Sequence, residues 1–183
     1  MDATDPTSRL LALEAQVRAL GDQLAIHRLI ASYGPLVDSA VDAARSHEAA
    51  ALWTEDGIYD LGPDLVAQGR AAIAALFMHD VHQQLIRDGS AHVMGLPLVE
   101  LDGDRALVLS YSRVYRHTAE GFTVWRVSAN RWELVREPSA VPPDGSANVP
   151  GWRIARRVNR LLDGSAEAQA LLRPSASSAN GTG

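Results

Sequence analysis

The chain has 183 residues, of which 46% are hydrophobic and 21% are charged, and its formal net charge is −5 at pH 7. This length accommodates one well-buried core but is short for two, and the composition is ordinary for a soluble globular protein. The absence of cysteine excludes disulfides, thiol nucleophiles and cysteine-ligated metals. No basic block of the kind found in nucleic-acid-binding domains is present, so a nucleic-acid partner is not expected.

The N-terminal segment 1–8 is polar and acidic, unlike the basic and then apolar layout of a signal peptide. No apolar run approaches the roughly 20 residues that a bilayer-spanning helix requires. We therefore expect a cytoplasmic protein without a membrane partner.

Helical periodicity dominates the first third of the sequence. Apolar residues recur at spacings of three and four from Leu10 to Leu24, and Gly21-Asp22 interrupts this pattern. The pattern predicts a short N-terminal helical extension over residues 1–21, followed by a longer helix that Asp22 caps. Pro35 lies inside this second helix and has no backbone N–H to donate, so a kink or a break is predicted there.

The middle of the chain combines two further helical segments with the start of a sheet. The predicted elements are a helix over 46–53, a turn at 54–57, a strand that begins at 58–61, and a helix over 69–79 that continues or restarts through 81–86.

Strand patterns follow, and they are predicted at 92–101, 105–116, 122–128, 131–136 and 151–162. Asp102-Gly103 is a strong hairpin signal, and Ala129-Asn130 predicts a second hairpin. A loop is predicted over 137–150, a terminal helix over 163–172 and a disordered tail over 173–183. Helices followed by antiparallel strands indicate an α+β domain, and a curled sheet of long strands with helices on one face encloses a cavity.

Several short segments, taken in order, resemble the SnoaL-like family of the NTF2-like superfamily. These segments are 26–29 leading to Tyr33 and Asp38, then 52–59, 69–73, 91–94, 101–106, 131–134 and 151–157. The resemblance implies one cone-shaped α+β domain over residues 22–172, in which N-terminal helices and a curved antiparallel sheet enclose a pocket. It also implies a homodimer or homotrimer.

A narrower pattern is similar to the group of scytalone dehydratase, bile-acid 7α-dehydratase and hexachlorocyclohexane dehydrochlorinase. Its elements here are Tyr33 and Asp38 on the first long helix and His92 at the start of the second strand. The resemblance implies that Asp38 and His92 form a dyad with His92 as the base, and that Tyr33 and Tyr59 line the pocket. A carboxylate bonded to one ring nitrogen fixes the tautomer and raises the basicity of the other nitrogen.

Tyr33 and Asp38 are five residues apart, about 140° around an ideal helix, so the disruption at Pro35 is expected to bring both to the cavity. Tyr33 is then placed to donate a hydrogen bond to a departing or polarised oxygen.

Strand alternation adds substrate-binding candidates, namely Tyr59, Tyr111, Trp125 and Arg156. Arg156 shares strand parity with Trp152 and Ile154 and is expected to stabilise an anion in the pocket, while Arg157 is expected to point the other way.

The leading hypothesis is a lyase or isomerase of the dehydratase kind, acting without a cofactor on a hydrophobic polycyclic or terpenoid-like small molecule. His79 and His82 have a spacing that metal sites use, but no third ligand is evident, so no metal site is predicted. The alternatives are a polyketide cyclase or epoxide hydrolase on the same fold, or a ligand-binding or dimerisation module without activity. A pocket filled by bulky side chains, or an Asp38 that points to solvent, would favour the module.

Overall fold

The computed structural model describes residues 5–137 and 151–174. Its helices are α1 (Pro6–Asp38), α2 (Ala43–Ala50), α3 (Arg70–Phe77), α4 (Asp80–Asp88) and α5 (Ala166–Leu171). Its strands are β1 (Trp53–Asp60), β2 (Val66–Gln68), β3 (Ser90–Met94), β4 (Leu98–Asp102), β5 (Arg105–Thr118), β6 (Gly121–Glu137) and β7 (Gly151–Leu161). The predicted loop beyond Glu137 and the predicted tail beyond residue 174 lie outside the described residues.

The strands form one curved, unclosed sheet in the order β2-β1-β7-β6-β5-β3, with β4 also paired to β5. All pairs are antiparallel except β1 with β7. The predicted α+β class with a curved antiparallel sheet is confirmed. In the described part of the chain, no helix combines the length and the apolar character that crossing a membrane requires.

Helix α1 is continuous, so the interruption predicted at Gly21-Asp22 is wrong, and of the kink or break predicted at Pro35 the break is wrong. The helix is capped by Asp5, whose side chain accepts a hydrogen bond from the backbone N–H of Ser8. Asp22 instead accepts hydrogen bonds from Arg136, which ties the helix to β6. Pro35 is exposed, and on that side water can satisfy the carbonyl group that proline leaves unpaired.

Two predicted turns are parts of strands. Residues 54–57 belong to β1, where the pairing with β7 shifts register between Trp53 and Ile58, so the turn-like composition reflects a bulged strand. Ala129-Asn130 lies in the middle of β6, and Asn130 is fully buried among polar partners. Conversely, the single strand predicted over 92–101 is divided into β3 and β4, and β2 was not predicted.

The hairpin predicted at Asp102-Gly103 is confirmed. Asp102 pairs with Arg105, and Gly103 adopts a φ of 56°, which glycine tolerates without strain. The core lies between the inner face of the sheet and helices α1, α2 and α3. Its largest fully buried apolar side chains are those of Trp53, Trp132, Ile26, Ile30, Ile73, Leu134 and Ile154.

Candidate functional site

A cavity of about 200 Å³ lies between the inner face of the sheet and helices α1, α3 and α4. Its wall is largely apolar and aromatic, with a few convergent polar groups, as is common in small-molecule sites. The lining residues are Tyr33, Tyr59, Leu61, Leu65, Leu76, Phe77, His79, Val81, His82, Leu85, His92, Met94, Ser112, Val114, Trp125, Arg126, Ser128, Arg157 and Asn159.

Asp38 and His92 are bonded to each other at this cavity. Asp38 Oδ1 lies 2.6 Å from His92 Nδ1, and Asp38 Oδ2 accepts a hydrogen bond from the His92 backbone N–H at 2.7 Å. A carboxylate can only accept, so Nδ1 carries the proton in this contact. The ring nitrogen Nε2 makes no hydrogen bond with the described residues, and His92 lines the cavity. Asp38 therefore binds the Nδ1 side of the His92 ring, while Nε2 has no partner among the described residues.

Gly34 is what allows α1 and β3 to approach this closely. A Cβ added at Gly34 would lie 2.1 Å from the backbone oxygen of His92, a distance that real Cβ atoms do not show. The glycine therefore sets the spacing between the end of α1 and β3, and through it the contact between Asp38 and His92.

Tyr33 and Asp38 reach one site without a break in the helix. Tyr33 is buried and lines the cavity directly, with its ring centroid 6.4 Å from that of His92. Asp38, in the last turn of α1, does not line the cavity and contacts it through His92. The two side chains leave α1 in different directions, and each contributes to the site: Tyr33 lines the cavity and Asp38 binds His92. A break at Pro35 is not needed for this.

A pair of tyrosines and a buried guanidinium form the wall beside His92. The hydroxyl groups of Tyr33 and Tyr59 are 3.1 Å apart. The Arg157 Cζ atom lies 4.1 Å from the Tyr33 ring centroid, 4.7 Å from that of Tyr59 and 4.0 Å from that of Trp132. Burial raises the pKa of Tyr33, and the nearby positive charge of Arg157 opposes that shift only in part. Tyr33 therefore stays protonated and can donate a hydrogen bond.

The parity argument for Arg156 and Arg157 is wrong, because β7 contains a bulge. Glu133 pairs with Arg156 and Leu134 pairs with Ile154, which leaves Ala155 as an extra residue. Beyond it the alternation is inverted, so Arg157 is buried at the cavity. The Arg156 side chain is 45% exposed, lies outside the cavity and pairs with Asp60.

Of the remaining substrate-binding candidates, two line the cavity and one lies outside it. Tyr59 and Trp125 line the cavity. Trp125 is the extra residue of a second bulge, between the pairs Val114–Arg126 and Tyr115–Val124, which is why it and Arg126 both reach the cavity. Tyr111 is 47% exposed and lies outside the cavity, because its neighbour Ser112 faces inward.

Among the lining residues that were not predicted, His82 and Arg126 carry titratable or charged groups. His82 lines the wall next to His92, with ring centroids 5.6 Å apart, and its Nε2 lies 2.9 Å from the Val37 carbonyl oxygen. Burial lowers the pKa of His82. The spacing of His82 and the buried Leu85 on α4 could have indicated this inward face. Arg126 carried no comparable signal, because the bulge that turns it inward is invisible in the sequence.

Within residues 5–137 and 151–174, no group of three or more His, Asp or Glu side chains could hold a metal ion.

The comparisons with known proteins agree with the fold. A family model for the SnoaL-like domain matches residues 18–158. An NTF2-like protein with a cystatin-like fold from Novosphingobium aromaticivorans is 42% identical, with a TM-score of 0.79 over 94% of this chain and 100% of that chain. No protein with a curated description matches the chain.

Two more distant solved structures share the fold. A protein of unknown function from Mycobacterium tuberculosis is 25% identical, with a TM-score of 0.61 over 87% of this chain and 78% of that chain. A candidate scytalone dehydratase from Novosphingobium aromaticivorans is 20% identical, with a TM-score of 0.60 over 80% of this chain and 87% of that chain. The family model spans most of the chain, and the 42% identical structure extends over nearly all of it. The chain therefore belongs to the SnoaL-like domain family of the NTF2-like superfamily.

Proposed function

We propose that this protein is a dehydratase-like lyase or isomerase that acts without a cofactor on a hydrophobic polycyclic or terpenoid-like small molecule. The observation that carries the proposal is the 2.6 Å contact between Asp38 Oδ1 and His92 Nδ1 at the wall of the cavity. A general base must present an unprotonated atom to the substrate, and Nε2 of His92 is the free atom of this pair.

The Asp38 carboxylate would act on His92 in two ways. It fixes the tautomer in which Nε2 is unprotonated, and it stabilises the positive charge that the ring gains when Nε2 accepts a proton. The second hydrogen bond, from the His92 backbone N–H to Asp38 Oδ2, restricts the carboxylate to one orientation. General-base catalysis of this kind contributes about 10²–10⁴-fold to the rate.

Proton removal by His92 also requires that the negative charge developing on a substrate oxygen be stabilised. Tyr33, Tyr59 and Arg157 support this second role. Tyr33 stays protonated because burial raises its pKa, so its hydroxyl is a donor. The Nη1 atom of Arg157 is buried and has no hydrogen-bond partner among the described residues. An oxygen that becomes negative in the cavity would find donors and a positive charge there.

The reaction balances without an added reactant. His92 Nε2 removes a proton from a carbon next to a carbonyl group, and the electron pair of the broken C–H bond forms a new C=C bond. In an elimination, a hydroxyl group on the neighbouring carbon departs and takes the proton back from His92, so that water leaves. In an isomerisation, the new C=C bond forms next to a C=C bond already present in the substrate; that older bond breaks, and its electron pair takes the proton from His92 at its far carbon.

The enclosed part of the substrate must be compact. A cavity of about 150 Å³ is known to hold benzene, so the volume of about 200 Å³ found here fits roughly one or two rings. A larger polycyclic or terpenoid skeleton would extend beyond the enclosed space.

A polyketide cyclase would use Asp38 or His92 as its acid–base group, so the same contact serves that alternative, whereas the geometry disfavours the other two. An epoxide hydrolase of this fold would need acidic residues around an arginine, and no Asp or Glu is among the lining residues of the described cavity. A module without activity would be favoured by a filled pocket or by a solvent-directed Asp38, whereas a cavity is present and Asp38 is engaged by His92.

The test is a screen of small cyclic β-hydroxy ketones for elimination, followed by Asp38→Asn and His92→Gln on the best substrate. Each variant should lower kcat by about 10²–10⁴-fold with an unchanged fold by circular dichroism. The matched control is Asp102→Asn, because Asp102 lies in the distant β4–β5 hairpin, where Asn-Gly is an equally good turn sequence. Near-wild-type turnover by Asp38→Asn would rule out the dyad mechanism.

A further inference from the structure

The cavity at His92 is lined by two guanidinium groups, and no carboxylate side chain is among its lining residues. Neither Arg126 nor Arg157 forms an ion pair within the described parts of the chain. The dyad acid Asp38 lies behind His92, with both oxygens engaged by that residue. The wall therefore carries two permanent positive charges and no permanent negative one.

Neutral groups hold Arg126 in place. Its Nε donates to Ser128 Oγ at 3.0 Å, and its Nη2 donates to Asn159 Oδ1 at 2.9 Å. Asn159 is fixed in turn, since its Nδ2 donates to Asn130 Oδ1 at 2.8 Å. These partners orient the guanidinium without neutralising it, and its Nη1 makes no hydrogen bond with the described residues.

Two guanidinium groups without an acidic partner at one cavity favour an anion there. Burial lowers the pKa of Arg126, and the positive charge of Arg157 lowers it further. Arg126 is partly buried and Arg157 is fully buried, and desolvation of an unpaired charge is costly. A carboxylate bound in the cavity would supply the missing negative charge, and a guanidinium suits it because two N–H groups match its two oxygens.

The sheet register places Arg126 away from the base. Arg126 pairs with Val114 on β5, and Val114 pairs with His92 on β3. The backbones of Arg126 and His92 are therefore two strand spacings apart, about 10 Å. An anion at Arg126 is thus a substituent of the ligand that is separate from the C–H group facing His92.

We propose that Arg126 binds a carboxylate group of the ligand, so that the protein takes small cyclic or aromatic carboxylic acids. That this ligand is the substrate rests on the proposed function. The carboxylate-binding site at Arg126 is independent of it. Tyr33, Tyr59 and Arg157 receive the oxygen next to the reacting carbon, and Arg126, whose side chain is directed toward Asn159 on β7, anchors the acid on the side of the cavity away from His92.

The test compares 2-naphthoate with its uncharged amide, 2-naphthamide, by isothermal titration calorimetry on the full chain. The wild-type protein should bind the acid about tenfold or more tightly than the amide, as charge-assisted hydrogen bonds predict. Arg126→Gln should remove this preference, and Arg126→Lys, which keeps the charge without the planar fork, should retain part of it. Arg113→Gln is the matched control, because Arg113 is exposed on the outer face of β5 and should leave the preference unchanged.

Equal affinities for acid and amide, no saturable binding of the naphthoate, or a preference that survives Arg126→Gln would each overturn the proposal. A preference lost only in Arg157→Gln would place the carboxylate at the wrong arginine and overturn it as well. His92→Gln separates this proposal from the proposed function, because it should lower kcat by about 10²–10⁴-fold while the preference for the acid remains.

Discussion

Gly34→Ala is the substitution that most directly perturbs the frame of the site. The new Cβ would lie 2.1 Å from the backbone oxygen of His92, so β3 must move by about 1 Å or more to reach an ordinary contact distance. This movement separates His92 from Asp38 because Asp38 lies only one turn further along α1. A single methyl group is thereby expected to loosen both hydrogen bonds between the two residues.

The expected cost follows from two opposing effects. Alanine gains up to about 1 kcal/mol of helix propensity over glycine, whereas overpacking of a buried contact costs about 1–3 kcal/mol. Because the added Cβ meets backbone and not a flexible side chain, the overpacking cost lies at the upper end, about 2–3 kcal/mol. The net loss of about 1–2 kcal/mol should lower the Tm by roughly 2–8 °C in a chain of this size. Turnover should fall as well, since the base is displaced from the position that Asp38 defines.

Gly21→Ala provides the control on the same helix. Apart from the local helix backbone, no described atom lies within 4 Å of a Cβ added at Gly21, so the substitution should leave the site intact and raise the Tm slightly. Differential scanning fluorimetry on both variants gives the comparison. If Gly34→Ala is as stable as the wild-type protein, the close approach of α1 and β3 is not what fixes the site.

The other substitutions test separate parts of the account. Tyr33→Phe removes the hydroxyl that contacts Tyr59 and should lower kcat by about 10²–10³-fold without loss of fold; unchanged kinetics would exclude Tyr33 as a donor. Because burial lowers the pKa of His82, the unfolded chain binds a proton that the folded chain does not, so the free energy of unfolding should decrease as pH falls below about 6.5. His82→Asn should reduce the dependence of the unfolding free energy on pH, measured by urea titrations at several pH values. An unchanged pH dependence would contradict the assignment to buried His82. Hydrogen bonds from Arg136 lower the pKa of Asp22, so Asp22→Asn should destabilise the protein by about 1–3 kcal/mol at neutral pH. The stability difference between the wild-type protein and Asp22→Asn should shrink as pH falls below about 3.9 and vanish below the lowered pKa of Asp22 in the folded protein. A stability difference that persists at such pH would contradict the ion pair.

The general order of helices before long antiparallel strands and the positions of Asp38 and His92 could be read from the sequence, because they depend on local periodicity and on a family pattern. The Asp102-Gly103 hairpin was equally readable, since its turn chemistry is local. The breaks expected in α1 were not real, because Gly21 and Pro35 are both exposed and a helix tolerates such residues on its solvent side.

The errors at Arg156, Arg157 and Arg126 have one physical origin. Each bulge adds a residue to one strand and inverts the alternation beyond it, and the bulges at Ala155 and Trp125 turn Arg157 and Arg126 into the cavity. Nothing in the local composition marks these bulges. Asn130 shows the same limit, since a residue typical of turns lies buried in a long strand and accepts hydrogen bonds from Arg157 there.

The most direct test of the central claim is the tautomer of His92, read from long-range ¹H–¹⁵N correlations of the histidine side chains in alkaline buffer. His92→Gln identifies the signal, and no substrate is needed. The account predicts that Nδ1 carries the proton in the wild-type protein and that Asp38→Asn perturbs this state. A wild-type His92 with its proton on Nε2 would contradict the claim, because the atom facing the cavity could then not accept a proton.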